Sequence, residues 1–331
     1  MAALVCGPEE SLLGDSDNDH ALISLVVPMY NEERVIDVFF REVAAVLDRI
    51  PAIRYEIVCV NDGSADGTLG RLLTVCRQDP RVRVVDLSRN FGKEAALTAG
   101  IDAARGDAVI PFDADLQDPP DVIPLLVQRW REGFDVVLAR RAQRQTDTWT
   151  KRGTAALFYR VHNAIADLPI PDNVGDFRLI SRQVVDALRQ LPENRRFMKG
   201  LFAWVGFRTT QVEYVRHARV AGKSTFSGWK LWNLALEGLT SFSTLPLRIW
   251  TYIGSMTACL SLLYGTYLIL RTLFWGVDVV GYASIITAVL FLGGIQLVGI
   301  GVIGEYVGRI YMESKHRPVY IVRKVHQRED A

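Results

Sequence analysis

The chain has few cysteines, and none of them is paired at ligand spacing. Cys6, Cys59, Cys76 and Cys259 stand alone, with no CxxC among them. Neither a zinc site nor a disulfide framework is expected, and a reducing compartment suits such a chain. Charge excess is also lacking. Lys and Arg number 38 and Asp and Glu 37, for a formal net charge of +1 over 331 residues. That balance gives no reason to expect a nucleic-acid partner. No GxGxxG follows the first apolar run, and no GxxxxGK[ST] occurs. Dinucleotide oxidoreductases and P-loop enzymes are thereby disfavoured. The first residues lack the basic start and apolar core of a signal peptide. Residues 1–20 carry Glu9, Glu10, Asp15, Asp17 and Asp19 and read as a disordered acidic tail.

What the chain does have is apolar sequence: 49% of residues are hydrophobic. The mean hydropathy of +0.13 is high for a soluble enzyme, and the excess lies in the last third. From Ile23 to about Ala139, short apolar runs alternate with amphipathic ones. "ISLVVP", "YEIVCV", "VRVVDL", "AVIPF" and "FDVVLA" predict strands, and the segments between them predict helices. This pattern predicts an α/β fold with a mostly parallel sheet covered on both faces. Ligands of such sheets bind at the carboxyl ends of the strands. In order, those ends carry "PMYNE", "NDGSADG", "SRNFG", "DADLQD" and "RR". Farther on, "NVGDFRLIS" reads as a loop entering a short strand, and "TTQVEYV" as a strand.

Ile249–Leu270 and Tyr282–Ile303 are each near the ~20 residues that span a bilayer core. The short connector between them predicts a helical hairpin with both outer ends on one side. Lys230 and Arg248 precede it, and Arg309, Lys315, Arg317, Arg323 and Lys324 follow. The positive-inside rule puts those ends in the cytoplasm. Within 227–248, Trp229, Trp232, Leu236 and Leu239 have the near-helical spacing of a helix lying in the interface. The expected organisation is the tail 1–20, a cytoplasmic catalytic domain 21–226, an interfacial segment 227–248, a two-helix membrane hairpin 249–308 and a cytoplasmic tail 309–331. Gly304 and Gly308 have the small-xxx-small spacing that permits close helix packing.

Two carboxylates at i and i+2 on a chain leaving a strand either share a proton or share a cation. Asp113 and Asp115 are such a pair, and Gln117 can add a carbonyl oxygen. A hard divalent ion resolves the repulsion and bridges to substrate phosphates. Asp62 stands on a Gly-Ser turn where its carboxylate can accept from a base N–H, with Asn31 and Glu32 beside it; Asp66 or Thr68 can cap the following helix. Arg140, Arg152, Arg219 and Lys223 lie outside the regular core and can converge on phosphates. Asp176 is a candidate acid/base or orienting residue. "QRW" at Gln128–Trp130 has the wrong spacing for the QxxRW of processive polysaccharide synthases and reads as packing.

Taken together, "VVPMYNEE", "VNDGSADGT", "RNFGKEAALTAG", "DADLQDPP", "GDFRLI", "SFSTLPLR" and "GEYVGRIYMESKHRPVYIV" resemble the polyprenyl-phosphate glycosyltransferases of glycosyltransferase family 2, and among them the bactoprenol glucosyltransferases. The resemblance covers Ile23 to Val325. It implies a GT-A fold, a UDP-sugar donor and a polyprenyl (undecaprenyl) phosphate acceptor. The implied product is a polyprenyl-phosphate hexose, glucose by preference, made with inversion on the cytoplasmic face of the bacterial inner membrane. Mannose, galactose, GlcNAc or an aminoarabinose-type sugar are the alternatives. The resemblance further implies Mg²⁺ or Mn²⁺ on Asp113, Asp115 and Gln117, and a nucleotide pocket lined by Pro28, Tyr30, Asn31, Glu32, Asp62 and Asp113. Arg140 and Arg152 would face phosphates, Asp176 would sit near the reacting sugar, and the assembly would be a homo-tetramer. Where related chains read AG-x-[ST]-K-Y, this one has "AGKSTFS", with Thr225 at the usual lysine and Lys223 two residues earlier. The rival readings are a processive synthase, for which two membrane helices are too few, and a scaffold on a dead fold.

Overall fold

The computed structural model describes residues 20–142, 174–191, 193, 198–215, 245–275 and 281–328. The expected alternation is realised up to the fifth strand. β1 (Ala21–Met29), β2 (Ile53–Asn61), β3 (Val82–Leu87), β4 (Ala108–Pro111) and β5 (Val136–Arg141) alternate with α1 (Ile36–Leu47), α2 (Thr68–Gln78), α3 (Lys93–Ala103) and α4 (Ile123–Arg131). β6 (Val174–Ser181), α5 (Arg182–Arg189), α6 (Met198–Trp204) and β7 (Thr209–Tyr214) follow. Two long helices come next, α7 (Leu245–Trp275) and α8 (Tyr282–Ser314), and then β8 (Val322–His326).

The eight strands form one sheet in the order β7-β5-β6-β4-β1-β2-β3-β8. β4, β1, β2 and β3 pair in parallel, so their carboxyl ends share a rim. β6 is antiparallel to both β4 and β5 and therefore enters the sheet at that rim. The segment read as a loop before a short strand is thus a full strand near the sheet centre. Its first residues, including Asp176, stand where the other strands end.

Each face of the sheet has its own core. On one side α1 contributes Ile36, Phe39, Val43 and Leu47, which recur every three or four residues and pack with Phe112 and Phe177. Trp130 of α4 packs against this same core, as its "QRW" context predicts. On the other side α3 buries mainly small residues, Ala95, Ala96, Ala99 and Gly100. A Cβ at Gly100 would lie 2.2 Å from a methyl carbon of Val26, so glycine is what lets α3 settle onto β1.

Residues 309–331, set apart as a tail by sequence, hold the end of α8 and an edge strand. β8 pairs antiparallel with β3. Ser88 donates its amide to the Ile321 carbonyl at 2.9 Å. The Tyr320 hydroxyl donates to Asp102 at 2.8 Å, and Arg323 donates to the Ser88 carbonyl at 2.7 Å. The tail therefore closes the β3 edge.

α7 and α8 are helices where two membrane spans are expected. Among the described residues, one stretch, Phe291–Ser314, is long and apolar enough to cross a membrane by length and composition. Close packing between the two helices occurs at Gly299, where a Cβ would lie 3.3 Å from the Trp250 ring. The glycines singled out by spacing behave differently, since a Cβ at Gly304 or Gly308 meets nothing within 4 Å.

Candidate active site

Three loops at the carboxyl rim are stitched together by polar contacts. After β1 the chain turns at Asn31, which adopts a left-handed φ of 57°. The Asn31 amide donates to the Ser64 hydroxyl at 3.1 Å, and its side-chain oxygen accepts from the Ala65 amide at 2.8 Å. The Glu32 amide donates to the Thr68 hydroxyl at 2.9 Å. "PMYNE" and "NDGSADGT" therefore act as one unit. Pro28 lies on β1 and Tyr30 projects into solvent. Asp66 caps the start of α2 by accepting from the Thr68 amide at 3.0 Å and the Thr68 hydroxyl at 2.6 Å. Burial pushes the Asp66 carboxyl up, but the Thr68 donors together with the backbone amides of Glu33 and of Asp66 itself outweigh it, and the pKa settles below the ordinary value.

Asp62 is only 3% exposed. Its two oxygens accept the amides of Phe91 at 2.7 Å and Gly92 at 3.0 Å. The carboxylate thus anchors the loop after β3, in addition to any contact with a base. Gly63, directly after it, has φ 62°, and a Cβ there would strike the Arg89 backbone at 2.4 Å. Next to Asp62, the Asn61 side-chain amide donates to the buried Asp86 at 2.7 Å. Arg323 of β8 approaches the same carboxylate at 3.6 Å.

The acidic centre lies where β4 ends, β6 begins and α3 starts. Asp113 follows β4 by two residues, and Asp176 is the third residue of β6. Lys93, the first residue of α3, joins them. Its Nζ is 2.7 Å from one Asp113 oxygen, 2.9 Å from the other, and 3.0 Å from Asp176 Oδ2. Desolvation in the cleft raises the Asp113 pKa; Lys93 opposes this, Asp176 and Asp115 add to it, and the net shift is upward. Desolvation works against the Lys93 ammonium, yet Asp113 and then Asp176 hold its pKa above the ordinary value. Asp115 accepts the Gln117 amide at 3.2 Å across Leu116, which has φ 52°, and Gln117 itself is buried.

Arg178, two residues beyond Asp176, is 4% exposed. It donates to the Gly175 carbonyl at 2.7 Å and lies 4.2 Å from the Phe202 ring centre. Burial lowers its pKa to about 10, against the pull of Asp176 and Glu94. Asp176 is thus flanked by two cations, Lys93 and Arg178. Sequence reasoning missed both. Its rim inventory stopped at "SRNFG", one residue before Lys93, and strand alternation from Asp176 reaches Arg178.

The two arginines that end β5 diverge. Arg140 stands opposite Val174, within 3.9 Å of Glu213. Arg141 donates to the Tyr214 hydroxyl at 3.2 Å, and that hydroxyl donates to the buried Asp118 at 2.5 Å. Arg152, Arg219, Lys223 and most of the interfacial segment 227–248 lie outside the described residues.

The donor set at Asp113 and Asp115 fits a hard divalent cation. Asp113 already holds a cation, the Lys93 ammonium, between its two oxygens. Among the described residues no group of three or more acid, histidine or cysteine side chains forms a closed cage. The fit is to an ion that takes its remaining oxygens from a phosphate ligand.

A mostly parallel α/β sheet with interlaced loops and an acidic pair on its carboxyl rim defines the class of protein. Residues 24–189 match the model of glycosyl transferase family 2, and the chain belongs to that family. Residues 245–310 match the GtrB C-terminal hairpin. The chain is 56% identical over 306 residues to the bactoprenol glucosyl transferase of Shigella phage SfV, covering 92% of this chain and 99% of that one. It is 53% identical to the prophage bactoprenol glucosyl transferase homolog of Escherichia coli K12, covering 92% and 99%. An uncharacterized glycosyltransferase of Synechocystis is 55% identical, covering 91% and 94%. The GT-A, Rossmann-like α/β fold is that of a glycosyltransferase.

Proposed function

We propose that the protein transfers glucose from UDP-glucose to undecaprenyl phosphate with inversion, on the cytoplasmic face of the bacterial inner membrane. The observation that carries the reading is the convergence of Asp62, Asp113 and Asp176 on one rim, in a chain more than half identical to bactoprenol glucosyl transferases over 92% of its length. α7 and α8 are proposed to form a two-span hairpin that keeps the rim at headgroup height. Their many exposed apolar side chains support this.

In this reading Asn31, Glu32 and Asp62 line the uridine pocket, with Pro28 and Tyr30 at its edge. A divalent cation held by Asp113 and Asp115, with Gln117 beside them, would neutralise the charge developing on the departing diphosphate. The acceptor phosphate has a second pKa near ~6 and is largely dianionic at pH 7, so it needs no base to attack the anomeric carbon. Asp176 then serves as an orienting group, held by Lys93 at 3.0 Å. Arg140, Arg152, Arg219 and Lys223 are proposed to receive the acceptor phosphate and the diphosphate. Catalysis rests on positioning and charge stabilisation.

The test is mass spectrometry of the lipid product after incubation with undecaprenyl phosphate and a panel of UDP-sugars. Preferential formation of the hexosyl lipid from UDP-glucose supports the reading. Preferential use of UDP-galactose or UDP-GlcNAc would replace the sugar and keep the reaction. No lipid product from any donor would remove the reaction itself.

A further inference from the structure

We propose that Lys93 is a positioning residue of the transfer reaction. Its ammonium is a resident counter-ion that joins Asp113 to Asp176 and that gives up Asp113, while keeping Asp176, when a donor diphosphate brings a metal. This rests on the metal reading of Asp113 above.

An ammonium has three protons and no acceptor. Lys93 Nζ makes three contacts, two to Asp113 at 2.7 and 2.9 Å and one to Asp176 at 3.0 Å. The two carboxylates come from different strands, and α3 brings the lysine between them. Without a cation there, two acids facing one space repel. A divalent cation on Asp113 would compete with this ammonium for the same carboxylate.

Of the two cations beside Asp176, Arg178 is the fixed one. It is pinned by the Gly175 carbonyl and the Phe202 ring and is 4% exposed. The Lys93 side chain is 47% exposed and fills no core position, so its four-carbon stem is free to reorient. Lys93 is the group that can move off Asp113 while retaining Asp176. A lysine in this role holds the acidic centre together by its own charge and makes that charge the competitor of an arriving cation.

The experiment is a Mn²⁺ titration followed by electron paramagnetic resonance, on full-length protein in detergent. Wild type, Lys93→Met, Lys93→Arg and Asp113→Asn are compared without nucleotide and with UDP. Without nucleotide, Lys93→Met should bind Mn²⁺ about tenfold more tightly than wild type, because the competing charge is gone. Lys93→Arg retains the charge and should stay close to wild type. In transfer assays Lys93→Met should lower kcat with KM for UDP-glucose little changed, and Lys93→Arg should restore part of the loss. Equal or weaker Mn²⁺ binding by Lys93→Met, with binding still lost in Asp113→Asn, would overturn the counter-ion role and leave the metal reading intact. Wild-type Mn²⁺ binding by Asp113→Asn in the presence of UDP would overturn the metal reading itself.

Discussion

Replacing Asp62 by Asn separates an anchor of the rim from a contact made only with nucleotide. Both oxygens of this buried carboxylate accept backbone amides, from Phe91 at 2.7 Å and Gly92 at 3.0 Å. A carboxamide can accept one of them, and it then turns its own N–H toward the other. The change removes one charge-assisted hydrogen bond, worth about 1.5–3 kcal/mol, and orphans a buried amide at a cost of similar size. A net loss of roughly 3 kcal/mol is expected, since the loop relaxes in part. For a chain of this size that lowers Tm by roughly 5–10 °C. Gly92 directly precedes Lys93, so a loosened loop also displaces the lysine that joins Asp113 to Asp176. Asp62→Asn should therefore melt earlier and bind UDP more weakly, and both are readable in detergent by intrinsic fluorescence and UDP titration. A variant that melts like wild type while losing UDP would refute the anchor and leave Asp62 as a nucleotide contact alone.

At Asp176, the Asn variant should retain more transfer activity than the Ala variant, because an amide can still be oriented by Lys93. The acid limb of the rate should follow the acceptor phosphate near pH ~6 whichever side chain is present. An Asn variant as inactive as Ala, with a moved acid limb, would assign proton transfer to Asp176. The lowered pKa of Asp66 makes a stability prediction with a definite sign. A carboxyl held below its unfolded value of about 3.9 adds stability that is fully present above that value and is lost as pH falls through the folded one. The Tm difference between wild type and Asp66→Asn should be constant near neutrality and shrink at the acid end; a difference that grows there would contradict the cap.

Much of this fold was legible because parallel strands announce themselves. Buried on both faces, they read as short, mainly apolar runs, and "VRVVDL" became β3 to the residue. β6 was harder. Its start, "VGDF", carries a glycine and an aspartate because it opens on the site, and so it looked like a loop. β8 was illegible for another reason. "VRKVH" is mostly exposed on an edge strand, and only its pairing with β3 distinguishes it from a basic tail. The strand-end rule placed Asp62, Asp113 and Asp115 on the carboxyl rim, where the structure has them, since it depends on position alone. It missed Lys93, whose role arises from a three-way meeting of β4, β6 and α3 that no local spacing records. The same holds for Gly299. Spacing favoured Gly304 and Gly308, and the Trp250 ring chose the helix contact instead.

The most direct test of the account uses purified wild-type protein and Asp113→Asn with UDP-glucose, undecaprenyl phosphate and Mn²⁺ or Mg²⁺. UDP release and the lipid product are measured together. Wild type should form undecaprenyl-phosphate glucose only with metal, one UDP per lipid. Asp113→Asn should be slower by at least about two decades, at equal protein level and membrane insertion, because it loses charge stabilisation of the leaving diphosphate. Metal-independent product, or near-normal turnover by Asp113→Asn, would contradict the account.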